Sequence, residues 1–409
     1  WLLQPDMTFE QGSEWVERFI TDLPTNRIGL DPYPIALRSI NWIKFIGRHH
    51  KKVESNRLQR WNDSLYAQRK LLERKLEYQL LGNHLLEDAY ALFIASIYFS
   101  DKKMYDKASC LLYKELDEQI LPDGSHYEQS PMYHCILLDR LLDCYNASIN
   151  RGHEKMCELL KLYVVRMLGH LESIVWKDDT IPLLNDSAYG IAPTVSELRA
   201  YAKRLKLEWT PLPMKECGYR KLCSTHLEAV VDVGNITATY QPGHSHADTF
   251  NYELRIDCKP FVVDTGISTY NKTARRQYER STSAHNTVTV GNKDSSEVWG
   301  GFRMGKRAKV RVLSDTENEI MAEHDGFKGC IHQRKFTIND DVFTINDKIV
   351  GNNMTECISY IHFAPDIEVL AISSTEIRTN RANIAVSGAN SIEIINDFVS
   401  VEYNRLEPS

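Results

Sequence analysis

Two histidines, His244 and His246, lie two residues apart in the stretch GHSHAD, which spans residues 243–248 and directly precedes a predicted strand. Side chains two residues apart on a strand point to the same face, so both imidazoles would face one shared space. An imidazole binds metals and transfers protons near neutral pH. The pattern is compatible with a metal site, an acid/base site, or a polar turn without chemistry.

Three residues in the second half of the chain are candidate metal ligands: His246, Asp264 in FVVDTG and His285 in STSAHNTV. Two imidazoles and a carboxylate suit zinc, with a fourth position left for water. Each residue lies at the edge of a predicted strand, but no two of them form a compact ligand motif. Taken singly, each histidine is better explained as a hydrogen-bonded structural residue.

Three tyrosines are candidates for proton transfer. Tyr133 lies in EQSPMYHC beside His134, near a proline that begins a helix, and Tyr270 lies in GISTYN. Tyr278, in RRQYER, is flanked by Arg275, Arg276 and Arg280. Cations beside a phenol favour the phenolate and would lower the pKa of Tyr278. The alternative is an exposed, solvated arginine-rich loop.

The first half of the chain offers groups that could bind an anion. Asn83 and His84 open a predicted helix after LLG, and asparagine is a favoured N-cap. The free N–H groups of a helix N-terminus also bind carboxylates. Arg38, Asn41 and Trp42 could add polar and stacking contacts, although the helical spacing of Trp42 also suits a core residue.

The bulk composition is that of an ordinary globular protein, with 43% hydrophobic and 25% charged residues among 409. The net charge of −6 argues against a nucleic-acid partner. No apolar run reaches the roughly 20 residues that span a bilayer. Nine scattered cysteines without a CxxC pair indicate mostly reduced, buried thiols. The start at Trp1 suggests a processed or trimmed chain.

The periodicity of the apolar residues changes near residue 210. Before it, apolar residues recur at three and four, which predicts amphipathic helices over 35–48, 83–99, 130–145 and 156–176. After it, short β-branched or aromatic runs predict antiparallel strands: ITATY, FNYELRI, KPFVVD, HNTVTV, AKVRVLS, HQRKFTI and FTINDKIV. We therefore predict an α-helical domain over 1–209, a linker over 210–220 and a β-sandwich over 221–409. Motifs of phosphate loops, dinucleotide folds and serine hydrolases do not occur.

Several blocks, in order over roughly residues 29–311, resemble the heparinase II/III-type polysaccharide lyases. They are GLDPYPIALRSINWIKF, GNHLLEDAYALFIASIYF, GSHYEQSPMYH, PGHSHADTFNYEL, VVDTGISTY and YERSTSAHNTVTV. The resemblance implies an α+β multidomain fold, an incomplete (α/α) toroid followed by an antiparallel β-sandwich. The family usually has more helical sequence before a block like the one at Trp1, so we expect the first helices of the toroid to be missing.

The resemblance also implies an activity, the β-elimination of a uronic-acid polysaccharide. By similarity, Asn83 and His84 neutralise the uronate carboxylate, and Tyr133 is the acid, and the base where geometry permits. His244 matches the base for the opposite epimer, and Tyr270 falls near a second family tyrosine with a different spacing to His285. By the same similarity, His246, Asp264 and His285 hold a structural zinc ion. The residues proposed to bind substrate are Arg38, Asn41, Trp42, Glu128, His134, Tyr278 and Arg280.

Two other functions stay open. A glycoside hydrolase on the same scaffold would need two carboxylates at the cleft, for which Glu128 and Asp186 are the candidates. A polysaccharide-binding or assembly protein would need no proton-transfer residues. The blocks look closest to members linked to bacterial exopolysaccharide clusters, and lysine clusters for sulfate are not evident. We expect a weakly sulfated, uronate-containing anionic polysaccharide and a periplasmic or secreted protein. The sequence does not indicate an oligomeric state.

Overall fold

A computed structural model describes residues 2–351 and 356–409 of the protein. The chain divides into two compact units. The first comprises Trp1–Gln119 and Leu137–Val164, and the second comprises Ile120–Ile136 and Val165–Ser409. The predicted domain boundaries at 209 and 221 follow the change from helices to strands along the sequence, and they stay a prediction.

Eight helices of ten residues or more occur in the described part of the chain. They are α1 Phe9–Asp22, α2 Pro32–Arg48, α3 Ser55–Arg74, α4 Gly82–Tyr98, α5 Lys102–Gln119, α6 Pro131–Ser148, α7 Glu154–Ile174 and α8 Val195–Arg204. The predictions of α2, α4, α6 and α7 are confirmed. Helix α3 escaped prediction because it is polar and buries few apolar residues, Trp61, Leu65 and Leu72 among them.

Local sequence explains where several helices begin. Helices α1 and α8 each start with a capping box, formed by Thr8 with Gln11 and by Thr194 with Glu197. Pro32 begins α2, where its fixed φ suits the first helical turn and its missing N–H costs nothing. In the first unit, Trp42 and Phe45 of α2 pack with Trp61 of α3 in an apolar cluster.

The second unit contains the strands of the described part of the chain, which pair antiparallel, together with α8 and a short helix, α9 Ala274–Glu279. The strands are β1 Tyr219–Cys223, β2 Leu227–Asp232, β3 Tyr252–Ile256, β4 Lys259–Val262, β5 Val288–Val290, β6 Val298–Trp299, β7 Arg303–Met304, β8 Val310–Asp315, β9 Glu319–His324, β10 Cys330–Asn339, β11 Val342–Gly351, β12 Cys357–Ser359, β13 Val369–Ile372, β14 Glu376–Thr379, β15 Asn383–Ala385, β16 Phe398–Glu402 and β17 Arg405–Pro408. Two four-stranded sheets stand out, with the orders β1-β2-β3-β4 and β11-β10-β9-β8.

The core of the second unit lies between these two sheets. Every second residue of β9 and β10 is buried, as expected for strands with one face on a core. Ile320 of β9 and Phe336 of β10 share one apolar cluster with Val231 of β2 and Leu254 of β3. The two sheets therefore pack face to face as a β-sandwich, with the core between their inner faces.

One predicted strand is wrong. ITATY, residues 236–240, has the composition of a strand but forms irregular structure. The backbone N–H of Thr237 donates to Gln129 Oε1 at 3.1 Å, and its hydroxyl donates to the carbonyl of Tyr127. These side-chain hydrogen bonds replace the strand pairing that the β-branched residues favour. The other six predicted strands are confirmed.

The cysteine prediction is half right. All nine cysteines lie in the described part of the chain and none forms a disulfide. Four of them are exposed rather than buried, namely Cys110, Cys223, Cys258 and Cys357. Among the described residues, no helix combines the length and the apolar character needed to cross a membrane.

Candidate active site

Tyr133, Tyr270 and His244 meet at one place in the second unit. The hydroxyls of Tyr133 and Tyr270 lie 3.1 Å apart, within hydrogen-bond distance. The ring of His244 stacks beside that of Tyr133, with centroids 4.1 Å apart. Tyr133 lies in the first turn of α6, where its backbone N–H donates to Ser130 Oγ at 3.2 Å. Three groups that can transfer protons therefore converge from separate parts of the sequence.

Asp186 is the centre of this site. Its Oδ2 lies 2.8 Å from His244 Nδ1, and its Oδ1 lies 2.7 Å from His246 Nε2. Arg276 donates to both oxygens, at 2.5 and 2.8 Å. Burial opposes ionisation, but the charge of Arg276 and the two histidine contacts hold the pKa of Asp186 well below its usual range. Asp186 is thus a permanent carboxylate that orients both histidines.

The shared space predicted for His244 and His246 is confirmed, although its cause differs from the prediction. Residues 243–248 form a loop rather than the start of a strand. The two rings share one carboxylate because Asp186 accepts from each of them with a different oxygen. Strand alternation is therefore not what brings them together.

Glu128 lies on the other side of His244. Its Oε2 is 3.5 Å from His244 Nε2, and its side chain is buried. The carboxylate pair considered for a hydrolase thus brackets His244. Asp186, bound to Arg276 and two histidines, has no proton to give as a general acid.

The surroundings of Tyr278 contradict both predictions made from the sequence, a lowered pKa and an exposed arginine-rich loop. The hydroxyl of Tyr278 donates to Asp397, and burial, followed by this bond and the charge of Asp397, raises the pKa of Tyr278 above its usual value. The prediction of a lowered pKa is wrong because the carboxylate outweighs Arg275, which lies over the ring at 5.2 Å. The solvated loop is also wrong, since Arg276 and Arg280 are buried.

Arg280 and His134, both expected to bind substrate, are instead bound to backbone carbonyls. Arg280 donates to the carbonyl of Ser245 at 2.8 Å, which fixes the loop that carries His244 and His246. His134 is buried, with Nε2 3.0 Å from the carbonyl of Met167. Both side chains therefore hold backbone segments next to the site in place.

Arg276 is the residue that sequence reasoning missed. It lies in a run of charges, RRQYER, and such runs usually face water. Its guanidinium binds Asp186 and lies 5.3 Å from the ring centres of both Tyr270 and Phe302. A buried arginine whose partner is distant in sequence produces no periodic pattern. The sequence therefore provided no reason to distinguish Arg276 from the arginines beside it.

The three residues expected to bind zinc lie close together in the second unit. The rings of His246 and His285 have centroids 5.2 Å apart, and His285 Nδ1 lies 2.7 Å from Asp264 Oδ2. Each ring therefore contacts a carboxylate with one nitrogen. His246 Nδ1 and His285 Nε2 are buried without a hydrogen-bond partner among the described residues. A carboxylate on one imidazole nitrogen and an open second nitrogen is the pattern of metal-binding histidines, so the two rings suit zinc. The ligand atoms of His246, Asp264 and His285 do not all lie within 4.8 Å of one another. Asp264 contacts His285 as an acceptor here.

The anion-binding candidates of the first unit lie on α2 and α4. Helix α4 begins at Gly82 after Leu81, so Asn83 lies within the first turn and the predicted N-cap role is wrong. His84 Nδ1 lies 3.1 Å from Glu77 Oε2. Arg38, Asn41 and Trp42 line one cleft of about 350 Å³. Arg38 also donates to Gln68 at 2.6 Å, and Trp42 is largely buried, so both have structural roles as well.

Two family models match the chain, "Heparinase II/III N-terminus" over residues 36–207 and "Heparinase II/III-like, C-terminal" over residues 208–409. Heparin-sulfate lyases are among its curated relatives. Those of Bacteroides stercoris and Pedobacter heparinus are 22% and 26% identical over 308 and 307 residues. Each alignment covers 67% of this chain and 45% of the relative, so the chain spans less than half the length of these relatives.

Solved structures show the same fold. A crystal structure of heparinase III superposes with a TM-score of 0.76 at 16% identity, covering 98% of this chain and 71% of that one. A mutant of the heparan sulfate lyase HepC from Pedobacter heparinus gives a TM-score of 0.72 at 18% identity, covering 98% and 69%. The predicted fold class, an incomplete (α/α) toroid followed by an antiparallel β-sandwich, is confirmed. The chain belongs to the heparinase II/III family.

Proposed function

We propose that the protein is a polysaccharide lyase that cleaves a uronic-acid polysaccharide by β-elimination. A base removes the C5 proton of the uronate, and an acid protonates the departing O4, which leaves a C4–C5 double bond. The C5 proton is weakly acidic, so donors must neutralise the adjacent carboxylate as negative charge develops. The chain therefore needs an acid, a base and donors to a carboxylate.

The observation that carries this proposal is the meeting of the Tyr133 and Tyr270 hydroxyls beside His244. Burial raises the pKa of Tyr270 well above its usual value, so Tyr270 retains its proton. We propose that its hydroxyl is the donor of the hydrogen bond to the oxygen of Tyr133. When Tyr133 gives its own proton to the leaving oxygen, this hydrogen bond stabilises the phenolate that remains. Tyr133 is the acid, and Tyr270 supports it.

His244 is proposed as the base for the opposite epimer. Asp186 accepts a hydrogen bond from Nδ1 at 2.8 Å, which orients the ring so that Nε2 is the nitrogen proposed to take the C5 proton. The Asp186 carboxylate also stabilises the imidazolium that forms after proton abstraction. Arg276 keeps Asp186 ionised for this role.

Asn83 and His84 are proposed to neutralise the uronate carboxylate, by similarity to the family. Their place in the first turn of α4 supports this role, because the N-terminus of a helix dipole favours negative charge. Arg38, Asn41 and Trp42 are proposed to contact other sugars along the cleft that they line.

We further propose that His246 and His285 hold a structural zinc ion, with Asp264 as third ligand or as the partner that orients His285. Zinc supplies rigidity here and takes no step in the elimination. The two open ring nitrogens support this assignment.

Replacement of His246 tests the zinc proposal. His246→Ala should lose one equivalent of zinc by elemental analysis and lower the melting temperature, because metal binding contributes to folding. His226→Ala, which removes an exposed histidine, serves as the control. Wild-type protein that holds no metal after growth with zinc would contradict the assignment.

The substrate is proposed to be a weakly sulfated bacterial polysaccharide that contains uronate, and the site of action the periplasm or the medium. Because curated relatives of the chain are heparin-sulfate lyases, heparin-sulfate is added to the polymers to be tried. A panel should therefore contain sulfated and unsulfated uronate polymers.

Ultraviolet absorbance over this panel tests the function. Elimination creates an unsaturated uronate, so absorbance rises together with new reducing ends. New reducing ends without absorbance would indicate hydrolysis and direct attention to Glu128. Binding without either signal would indicate a non-catalytic polysaccharide-binding protein.

A further inference from the structure

A second cluster of metal-binding side chains lies in the second unit and has no part in the proposed elimination. It consists of Asp123, His170 and Cys217, whose ligand atoms all lie within 4.8 Å of one another. The residues come from the turn at 121–125, from α7 and from the segment before β1. No other group of three such residues this close occurs among the residues that the structure describes.

The cluster is closed to solvent and contains unsatisfied nitrogens. Asp123 and His170 are each 4% exposed, and Cys217 is fully buried. The Nδ1 atoms of His170 and of the neighbouring His134 are buried without a hydrogen-bond partner among the described residues. Buried polar atoms are nearly always satisfied, so these two nitrogens point to a ligand that they would share.

A small void lies beside these nitrogens. Its volume is about 10 Å³, and its lining includes His134, His170 and Cys217. Such a volume holds about one water molecule or one metal ion. The rings of His134 and His170 have centroids 5.1 Å apart, a separation that two imidazoles on one ion can have.

The donors suit the charge of a divalent cation. One carboxylate, from Asp123, and one thiolate, from Cys217, would balance a divalent ion.

Asp123 is already held in place by outer partners. Its Oδ2 accepts from the backbone N–H groups of Lys215 and Cys217 at 3.1 and 2.9 Å, and its Oδ1 accepts from Ser125 Oγ at 2.7 Å. Oδ1 also accepts from the backbone N–H of Ser125 at 3.2 Å, so each oxygen already accepts two hydrogen bonds and a metal ion would replace one of these donors. Outer hydrogen bonds of this kind orient the ligands of metal sites.

We propose that Asp123, His170 and Cys217 bind a structural divalent transition metal, with zinc as the natural occupant, and that His134 or a water completes the tetrahedron. The mixture of sulfur, nitrogen and oxygen donors suits zinc or cobalt rather than magnesium or calcium. The ion would fasten the 121–125 turn, α7 and the segment before β1 to one another. Binding displaces the thiol proton: Cys217–SH and M²⁺ give Cys217–S⁻–M²⁺, and H⁺ passes to solvent.

Cobalt substitution tests this site separately from the one at His246. A thiolate ligand gives Co²⁺ an intense charge-transfer band in the near ultraviolet, whereas imidazole and carboxylate ligands do not. Metal-free wild-type protein titrated with Co²⁺ should develop this band to one equivalent, and Zn²⁺ should remove it. His246→Ala should keep the band.

Cysteine variants identify the ligand. Cys217→Ser should lose the band, and Cys144→Ser, which alters a buried thiol outside the cluster, should keep it. Circular dichroism establishes that each variant is folded. Folded wild-type protein without the band, or a band that persists in Cys217→Ser, would overturn the proposal; the band of wild-type protein decides the question even if Cys217→Ser fails to fold.

Discussion

Asp186 determines the geometry of the candidate active site at the scale of single residues. One carboxylate accepts from His244 and His246 and is held by Arg276 from a third direction. Every donor to Asp186 is nearly or fully excluded from water, where charge-assisted hydrogen bonds are strong. The positions of the two histidines therefore depend on a residue 58 positions before the first of them.

Removal of one hydroxyl tests Tyr133. Tyr133→Phe should lower kcat by about a hundredfold or more, because general acid catalysis contributes about 10²–10⁴-fold. The fold should survive, since the ring remains in place. Tyr98→Phe is a matched control, because it also removes a hydrogen-bonded hydroxyl, one that donates to Asn62 at 2.8 Å. Near-full activity of Tyr133→Phe would exclude Tyr133 as the acid.

Removal of the charge at Asp186 tests the network. Asp186→Asn should destabilise the protein by about 3–5 kcal/mol in urea unfolding, because Arg276 would stay buried without its counter-ion. Activity should fall as well, since His244 loses its orienting partner. Asp315→Asn, which weakens a partly exposed pair with Arg220, should cost less than about 1 kcal/mol. Equal losses in both variants would argue against a central role for Asp186.

Helix α4 places two acidic side chains, Glu87 and Asp88, in a buried position where a charge is unfavourable. Nearly all its residues from Gly82 to Ser96 are buried, including Glu87 and Asp88. Asp88 Oδ2 accepts from the backbone N–H of Glu77 at 2.9 Å, which fastens the preceding loop to the helix that carries Asn83. Burial raises the pKa of Asp88 to about 7 from 3.8.

The raised pKa of Asp88 predicts how stability changes with pH. Between about pH 4 and pH 7 the folded state holds a proton that the unfolded state has lost, so stability falls as pH rises, by at most about 1.4 kcal/mol per unit. Asp88→Asn removes this loss, and its stability relative to wild type should increase across that window.

Glu172, whose pKa shifts in the opposite direction to that of Asp88, provides the control variant. The pKa of Glu172 is lowered, because its bonds to Arg199 and Trp209 outweigh burial. Glu172→Gln should therefore lose stability relative to wild type above about pH 4.5, and this difference should shrink in acid. Urea unfolding between pH 4 and pH 8 measures both. A pH-independent difference for Asp88→Asn would contradict the raised pKa of Asp88 in the folded state.

Elements and site residues were predictable to different degrees. Amphipathic spacing predicted α2, α4, α6 and α7, because burial of one face imposes a period on the sequence, and β-branched or aromatic runs predicted six of the strands. ITATY was wrongly predicted as a strand because side-chain hydrogen bonds replace its pairing, and the polar helix α3 was not predicted. The convergence of Tyr133, Tyr270 and His244 follows from tertiary contacts, and only the family resemblance grouped them beforehand. Neither the sequence pattern nor the family resemblance indicated that Arg276 pairs with Asp186.

The charge of the whole molecule bears on its proposed substrate. A net charge of −6 repels a polyanion on average, and salt screens this repulsion over about 10 Å at 0.1 M. We expect kcat/KM on a uronate polymer to hold steady or rise as salt is increased from about 0.05 to about 0.2 M. Parallel assays with unsulfated and sulfated polymers provide the comparison. A steep fall with salt would instead indicate a cationic groove suited to sulfated chains.

The shared carboxylate at Asp186 also constrains how this site can evolve. Residues that contact one group are not energetically independent, and their substitutions do not add. A change at His244, His246 or Arg276 alters the balance of charge for the other two through Asp186. Replacement of the base at position 244 therefore also changes the interactions of His246 and Arg276 with Asp186, and the effects of substitutions at these four positions should not add.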